Sequence, residues 1–167
     1  MNKISRNAEI FRKLRTQNKE EFFADKELDI FIIGDFHRTL LQEAIAFKKN
    51  DIAAELIARS IDVNATDSKG QTALHYGAVY GAYEVVRDIL LSGGNPNIPD
   101  KFGNGAAWTA ALSAKGDYSI LKLLVAYAAE IDSKNRAGKS VLDFARQSDD
   151  LDMWLACGES ENDFKKI

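Results

Sequence analysis

The feature that most constrains this chain is a repeat of 33 residues. Asp67-Ser68-Lys69-Gly70 recurs as Asp100-Lys101-Phe102-Gly103, and Thr39-Leu40-Leu41 stands 33 residues before Thr72-Ala73-Leu74. Ile61-Asp62-Val63-Asn64 likewise stands 33 before Gly94-Asn95-Pro96-Asn97. Within one period the parts have a mechanical order. Asp67-x-x-Gly70 is a tight turn whose glycine supplies a positive φ angle, and Thr72 stands where the next helix needs a cap. A short, slim helix carrying Leu74 and Ala78 breaks at Gly81. A second helix then places Val85, Val86, Ile89 and Leu90 on one apolar face. Gly93-Gly94 stops it and Pro96 keeps it stopped. Such a turn, helix, helix, loop unit has a face too apolar to stand alone in water, so units must stack.

The phrase Thr72-Ala73-Leu74-His75, with Asp62-Val63-Asn64-Ala65 and this period, resembles the T-P-L-H-x-A signature of ankyrin repeats. The resemblance covers residues 34–157 and implies an all-α ankyrin-repeat solenoid of about four helix-turn-helix repeats. The repeats fall at 34–66, 67–99, 100–134 and 135–158, leaving 159–167 as a C-terminal tail expected to fray. The resemblance also implies that His75 hydrogen-bonds a neighbouring turn. The histidine slot is otherwise filled by Gln42, Trp108 and Asp143, and Lys48 stands where a helix-breaking glycine is usual. Gly81 and Gly116 are 35 apart, so two extra residues near 112–115 either lengthen a helix or bulge a turn. Second helices are expected over 51–58 and 118–128.

Residues 1–33 carry no such signature. Residues 3–18 can form an amphipathic helix with Ile4, Ala8, Phe11 and Leu14 on one stripe, followed by apolar elements at Phe22-Phe23 and 28–33. A solenoid has raw ends that need covering, so 1–33 reads as a helical N-terminal cap with room for a degenerate repeat.

With 167 residues and 46% hydrophobic content, the chain is expected to form one soluble domain. No apolar run approaches the roughly 20 residues of a membrane span. The basic start lacks the apolar middle of a signal peptide, and the single Cys157 permits no internal disulfide. A cytoplasmic location and no membrane contact follow as expectations. The net charge of −3 gives no basis for nucleic-acid binding. Cations gather in the first segment (Lys3 to Lys19) and acids in the last (Asp149 to Asp163); solvated end faces explain both.

Chemistry-bearing residues are sparse. His37 and His75 form no metal set with Cys157, and Gly103-Asn104-Gly105 lacks the third glycine and preceding strand of a dinucleotide loop. Ser119 and Lys122 lie in a helix needed for packing, and Asp149-Asp150-Leu151-Asp152 suits a helix start. No catalytic residue, metal or cofactor is expected.

What remains is a surface. The resemblance places the turn tips and the outer sides of the first helices on one concave binding face. Its candidate partner-binding residues are Phe36, Phe47, Lys69, Gln71, Tyr80, Lys101, Phe102, Asn104, Leu112 and Arg136. Aromatic residues where the fold calls for solvent suggest an interface. The alternative is that Phe36 packs on the cap and Phe47 fills a gap beside it. The chain looks like a small bacterial ankyrin-repeat immunity protein, which implies a protein partner, a cognate toxin. An adaptor, an effector or a regulatory subunit of an enzyme is the other reading. If the toxin is basic, the acidic end is a competing site.

Overall fold

A computed structural model of the chain describes residues 3–164, with side chains from Arg6 onward. The last three residues of the expected tail and the Ile4 side chain of the expected stripe lie outside the described residues.

The elements form helix pairs. After α1 (Lys3–Thr16) and α2 (Lys19–Phe23) come α3 (Leu40–Ala46) with α4 (Asn50–Ala58), and α5 (Ala73–Tyr80) with α6 (Tyr83–Leu91). Then follow α7 (Ala106–Ser113) with α8 (Ser119–Ala126), α9 (Val141–Ser148) with α10 (Leu151–Ala156), and finally α11 (Glu161–Phe164). The first helices pack in series, α1 on α3, α3 on α5, α5 on α7 and α7 on α9, and α4, α6, α8 and α10 form a second row. The architecture is all-α; the only extended pairing among the described residues is an isolated bridge between Ile33 and Thr39.

The apolar pattern sets this stacking. Leu40, Leu41, Ala44 and Ile45 of α3, Leu74 and Ala78 of α5, and Ala106, Ala107, Ala110 and Ala111 of α7 are buried between neighbours. Small residues keep the first helices slim. At Gly77 a Cβ would sit 2.3 Å from Val86 Cγ2, so the α5–α6 approach tolerates no side chain there. The second row contributes Ile52 and Leu56, Val86 and Ile89, and Leu121 and Leu124 to the same core.

Two asparagines repeat a second device 33 residues apart. Asn64 accepts from the Asn95 N–H (2.8 Å) and donates to the Gly93 carbonyl (3.1 Å). Asn97 does the same with the Glu130 N–H (2.8 Å) and the Ala128 carbonyl (3.0 Å). Each satisfies backbone groups in the next loop, so the Asp62-Val63-Asn64 phrase is a fastener between units.

The two extra residues go into the turn. Like α5, α7 has eight residues, and Lys115 and Gly116 both take positive φ in the longer connection to α8. Helix α8 ends at Ala126, two residues earlier than expected, because Ala128 turns left-handed (φ 61°). Lys48 adopts φ 55° where Gly81 has 67°, so the turn geometry survives the missing glycine.

At the N-terminal end the buried stripe of α1 is Ile10, Phe11 and Leu14, and Ala8 is exposed. The larger side chains decide which face of α1 meets α3, and a lone methyl group does not. Residues 28–33 are not helical; Ile30 and Ile32 are buried while Phe31 and Ile33 are exposed, the alternation of extended chain. At the other end α11 forms a helical turn where fraying was expected. Phe164 packs 6.0 Å from the Trp154 ring, whose Nε1–H donates to the Ser160 carbonyl at 2.9 Å.

Asp150 caps α10 through the Met153 N–H (2.9 Å) and accepts from the Tyr118 hydroxyl. Cys157 is buried, and burial together with Glu159 pushes its thiol up to about 11. The native chain at pH 8 should therefore resist iodoacetamide, with labelling only after unfolding. Rapid stoichiometric alkylation of folded chain, read by mass spectrometry, would contradict that burial.

Candidate functional site

The candidate site is built from turn tips and from the ends of first helices. Each tip is held by one side chain. Asp67 Oδ1 accepts from the Lys69 N–H (2.8 Å) and the Gln71 N–H (2.9 Å), and Asp100 Oδ1 accepts from the Phe102 and Asn104 N–H groups (2.8 and 2.9 Å). Asn135 plays this part with Ala137 (2.9 Å) and Lys139 (3.1 Å). Tips join one another through backbone bonds from Ser68 to Phe36, Lys101 to Lys69 and Arg136 to Phe102 (2.7–2.9 Å). The tip carboxylates are thus turned inward as caps, while the Lys69, Lys101 and Arg136 side chains face solvent.

Beneath the tips lie polar pegs. His75 is fully buried; its Nδ1 accepts from the Thr72 N–H at 3.1 Å and its Nε2–H donates to the Asn104 carbonyl at 3.0 Å. That pair of partners assigns the neutral tautomer, and burial lowers its pKa. Gln42 fills the same slot one repeat earlier. Its Oε1 accepts from the Thr39 N–H (2.8 Å) and its Nε2 donates to the carbonyls of Gln71 (2.8 Å) and Ala65 (3.1 Å). Asp143 accepts from the Ser140 N–H (2.9 Å) and pairs with Lys134 (2.8 Å). Trp108 instead packs on Phe144, with centroids 5.9 Å apart.

The sequence-derived site residues divide by placement. Phe36 (73%), Phe102 (67%), Leu112 (54%), Phe47 (46%) and Tyr80 (42%) are all exposed, as are Lys69, Lys101 and Arg136. Phe47 is covered on one side by Arg15, whose guanidinium lies 5.0 Å from the ring. Asn104 belongs to the scaffold, because its Oδ1 accepts from Asn135 Nδ2 at 2.9 Å and its carbonyl takes the His75 proton. Gln71 is half-buried, with its backbone engaged by Gln42 and Asp67.

A slot of about 170 Å³ brings Lys69, Gln71 and Tyr80 together with Arg38, Tyr76 and Val79. Tyr80 and Tyr76 stack at 6.4 Å, one helical turn apart, and the Arg38 guanidinium lies 5.5 Å from the Tyr76 ring. The Tyr76 hydroxyl donates to Asp67 Oδ2 at 2.9 Å; burial and this bond push it up to about 12, so it stays protonated. Arg38 Nη1 bonds buried Glu43 at 2.8 Å, and Arg15 of α1 reaches the same carboxylate at 2.5 Å. Burial is the largest single influence and opposes the charge on Arg38, but Glu43 and Tyr76 together outweigh it and raise the pKa. Arg38 also lines the neighbouring groove beside Phe36, and Tyr80 also lines the hollow beside Leu112. Phe36, Tyr80 and Leu112 therefore share a continuous surface.

Tyr76 was absent from the sequence-derived set, and Arg38, a variable position of the face by repeat alignment, was not counted among its binding residues. Tyr76 precedes Tyr80 by four residues and so shares its helical face, a legible signal; Arg38 stands 33 before Gln71. No cluster of three or more histidine, cysteine or acidic side chains suited to a metal occurs among the described residues, and no helix there is long and apolar enough to cross a membrane.

The family model described as ankyrin repeats (3 copies) matches residues 3–100, more than half of the chain. The chain belongs to the ankyrin-repeat family. The match takes in α1 and α2, where no signature phrase is visible. This ankyrin-repeat chain is 36% identical over 94 residues to the potassium channel AKT2/3 of Arabidopsis thaliana, covering 56% of this chain and 11% of the channel. It is 36% identical over 83 residues to the nuclear factor NF-kappa-B p105 subunit of Gallus gallus, covering 48% and 8%. It is 29% identical over 119 residues to the E3 ubiquitin-protein ligase hecd-1 of Caenorhabditis elegans, covering 70% and 4%. The chain thus spans a small fraction of these relatives, and the repeats mark it as a protein-interaction module.

Proposed function

We propose that this chain is a non-catalytic module that binds another protein on the surface of turn tips and first-helix ends, with Tyr80 as central anchor. Residues 1–33 serve as its cap and 34–158 as its four repeats. The observation that carries the site is the exposure of Phe36, Phe47, Tyr80, Phe102 and Leu112 where stacking leaves them free. Large rings that repeat packing does not consume are what interface hot spots are made of.

The finer role is that of a cytoplasmic bacterial immunity protein that neutralises a cognate toxin by covering its active surface. Worn repeats with Gln42, Trp108 and Asp143 in the histidine slot support this by resemblance. The adaptor reading draws support from relatives that are much larger eukaryotic proteins. Expression of the neighbouring gene discriminates them: growth arrest relieved by this chain supports immunity, and no arrest supports the adaptor.

Tyr80→Ala should weaken partner binding by about 2 kcal/mol, roughly thirtyfold. Its stacking on Tyr76 limits the accompanying loss of stability to about 0.5–1.5 kcal/mol. Titration calorimetry with unchanged affinity in both Tyr80→Ala and Phe102→Ala, and loss on neutralising Asp149 to Asp163, would move the site to the acidic end.

A further inference from the structure

The net charge of −3 is unevenly spread over the surface. Lys69, Lys101, Arg136 and Lys139 project from three successive tips, and none forms an ion pair among the described residues. The acids of these tips, Asp67 and Asp100, are spent on backbone N–H groups. Most exposed acids, such as Asp51, Glu84, Glu130 and Asp152, belong to the second-helix side and its loops, and Asp35 on the first tip, beside Phe36, is an exception. Beside the slot, in the neighbouring groove, Glu43 is already shared by Arg15 and Arg38, so that trio carries an excess positive charge. The Arg38 side chain is still 30% exposed, so Glu43 does not cover the whole of it.

We infer that the surface takes an acidic internal segment of a protein partner, with an aspartate or glutamate seated between Lys69 and Arg38 and an adjacent apolar side chain on Tyr80. This rests on the placement of the binding surface proposed above. Tyr76 and Tyr80 form the apolar wall and the cations supply the charge, a combination that rewards a carboxylate next to a hydrophobic group. Nucleic acid fits less well. With 25 acidic and 22 basic residues the chain as a whole repels a long polyanion, whereas a short acidic segment meets only the tips.

The test is selection from a phage-displayed library of random dodecamers on the full chain, each peptide fused so that it has no free carboxyl terminus. Enriched peptides should carry Asp or Glu within two residues of Leu, Phe or Trp. Measured by fluorescence anisotropy, their affinity should fall at least tenfold on Lys69→Glu with Lys101→Glu, and similarly when the peptide acid becomes its amide. A Glu→Lys peptide should regain affinity for the charge-reversed chain. Enriched peptides that need Tyr80 but are neutral or basic would overturn the acidic-segment inference while leaving the surface in place. Peptides indifferent to Tyr80→Ala, or no enrichment at all, would overturn both. A labelled 25-mer of oligouridine that binds more tightly than the peptides and loses affinity on the same charge reversal would assign the surface to nucleic acid.

Discussion

His75→Ala should lower the unfolding free energy by about 3 kcal/mol, and His75→Gln should recover most of the loss. The imidazole is fully buried and fastens the α5 start to the next tip through the Thr72 N–H and the Asn104 carbonyl. Alanine leaves the buried Thr72 N–H and the part-buried Asn104 carbonyl unpaired, at about 1–3 kcal/mol each, and adds a cavity. Glutamine is the informative rescue because Gln42 already performs the same bridging in the preceding repeat. A urea midpoint unchanged by His75→Ala, or a glutamine variant as unstable as the alanine one, would refute the peg.

The same residue gives a pH slope with a definite sign. Burial lowers the His75 pKa below its ordinary value of 6.5 in the folded chain. The unfolded chain therefore binds the proton first as pH falls, and stability declines from about pH 6.5 downward until the folded chain also protonates. His75→Gln should flatten the curve between about pH 6.5 and 5, above the range where carboxylates dominate.

These pegs show what could be read from sequence. Period, turn and helix order were legible because each depends on residues that act locally: Gly70 in its turn, the Val85-Val86-Ile89-Leu90 face, and the asparagines at 64 and 97. Gln42 and Asp143 read as erosion of the histidine slot, yet both retain its local bond to the helix start, since an amide or carboxylate oxygen accepts that N–H as an imidazole nitrogen does. Residues 28–33 were harder, because a short apolar run has no period that separates strand from helix. The candidate surface was legible only in part. Exposed aromatics stood out against the repeat pattern, but the Arg15–Glu43–Arg38 trio joins α1 to α3 and the first tip across 28 residues, and spacing carries no trace of such contacts. Asn104 looked free in sequence because its partner, Asn135, belongs to the next tip.

Removing residues 1–33 should leave a chain that aggregates or unfolds under conditions where the full chain is monomeric. The truncation strips Ile10, Phe11, Leu14 and Phe22, all buried, from the face of the first repeat. At about 1.5–3 kcal/mol for each buried side chain, the loss is on the order of 6–12 kcal/mol, comparable with the whole stability of a domain this size. It also uncovers Leu40, Leu41 and Ile45 and takes Arg15 away from buried Glu43, leaving one guanidinium where there were two. Because the truncated chain can fail outright, Leu14→Ala in the full chain provides a graded version, expected to cost about 2–5 kcal/mol. Arg15→Gln separates the electrostatic share, since it removes the cap's ion pair while Glu43 keeps Arg38 and the apolar contact stays. A truncated chain that elutes as a monomer with the full chain's urea midpoint, or a Leu14→Ala variant of wild-type stability, would show that the repeats close their own N-terminal end. If the hydrophobic share dominates, Leu14→Ala must cost more than Arg15→Gln, because the Arg15 side chain is 44% exposed and solvent already screens its ion pair.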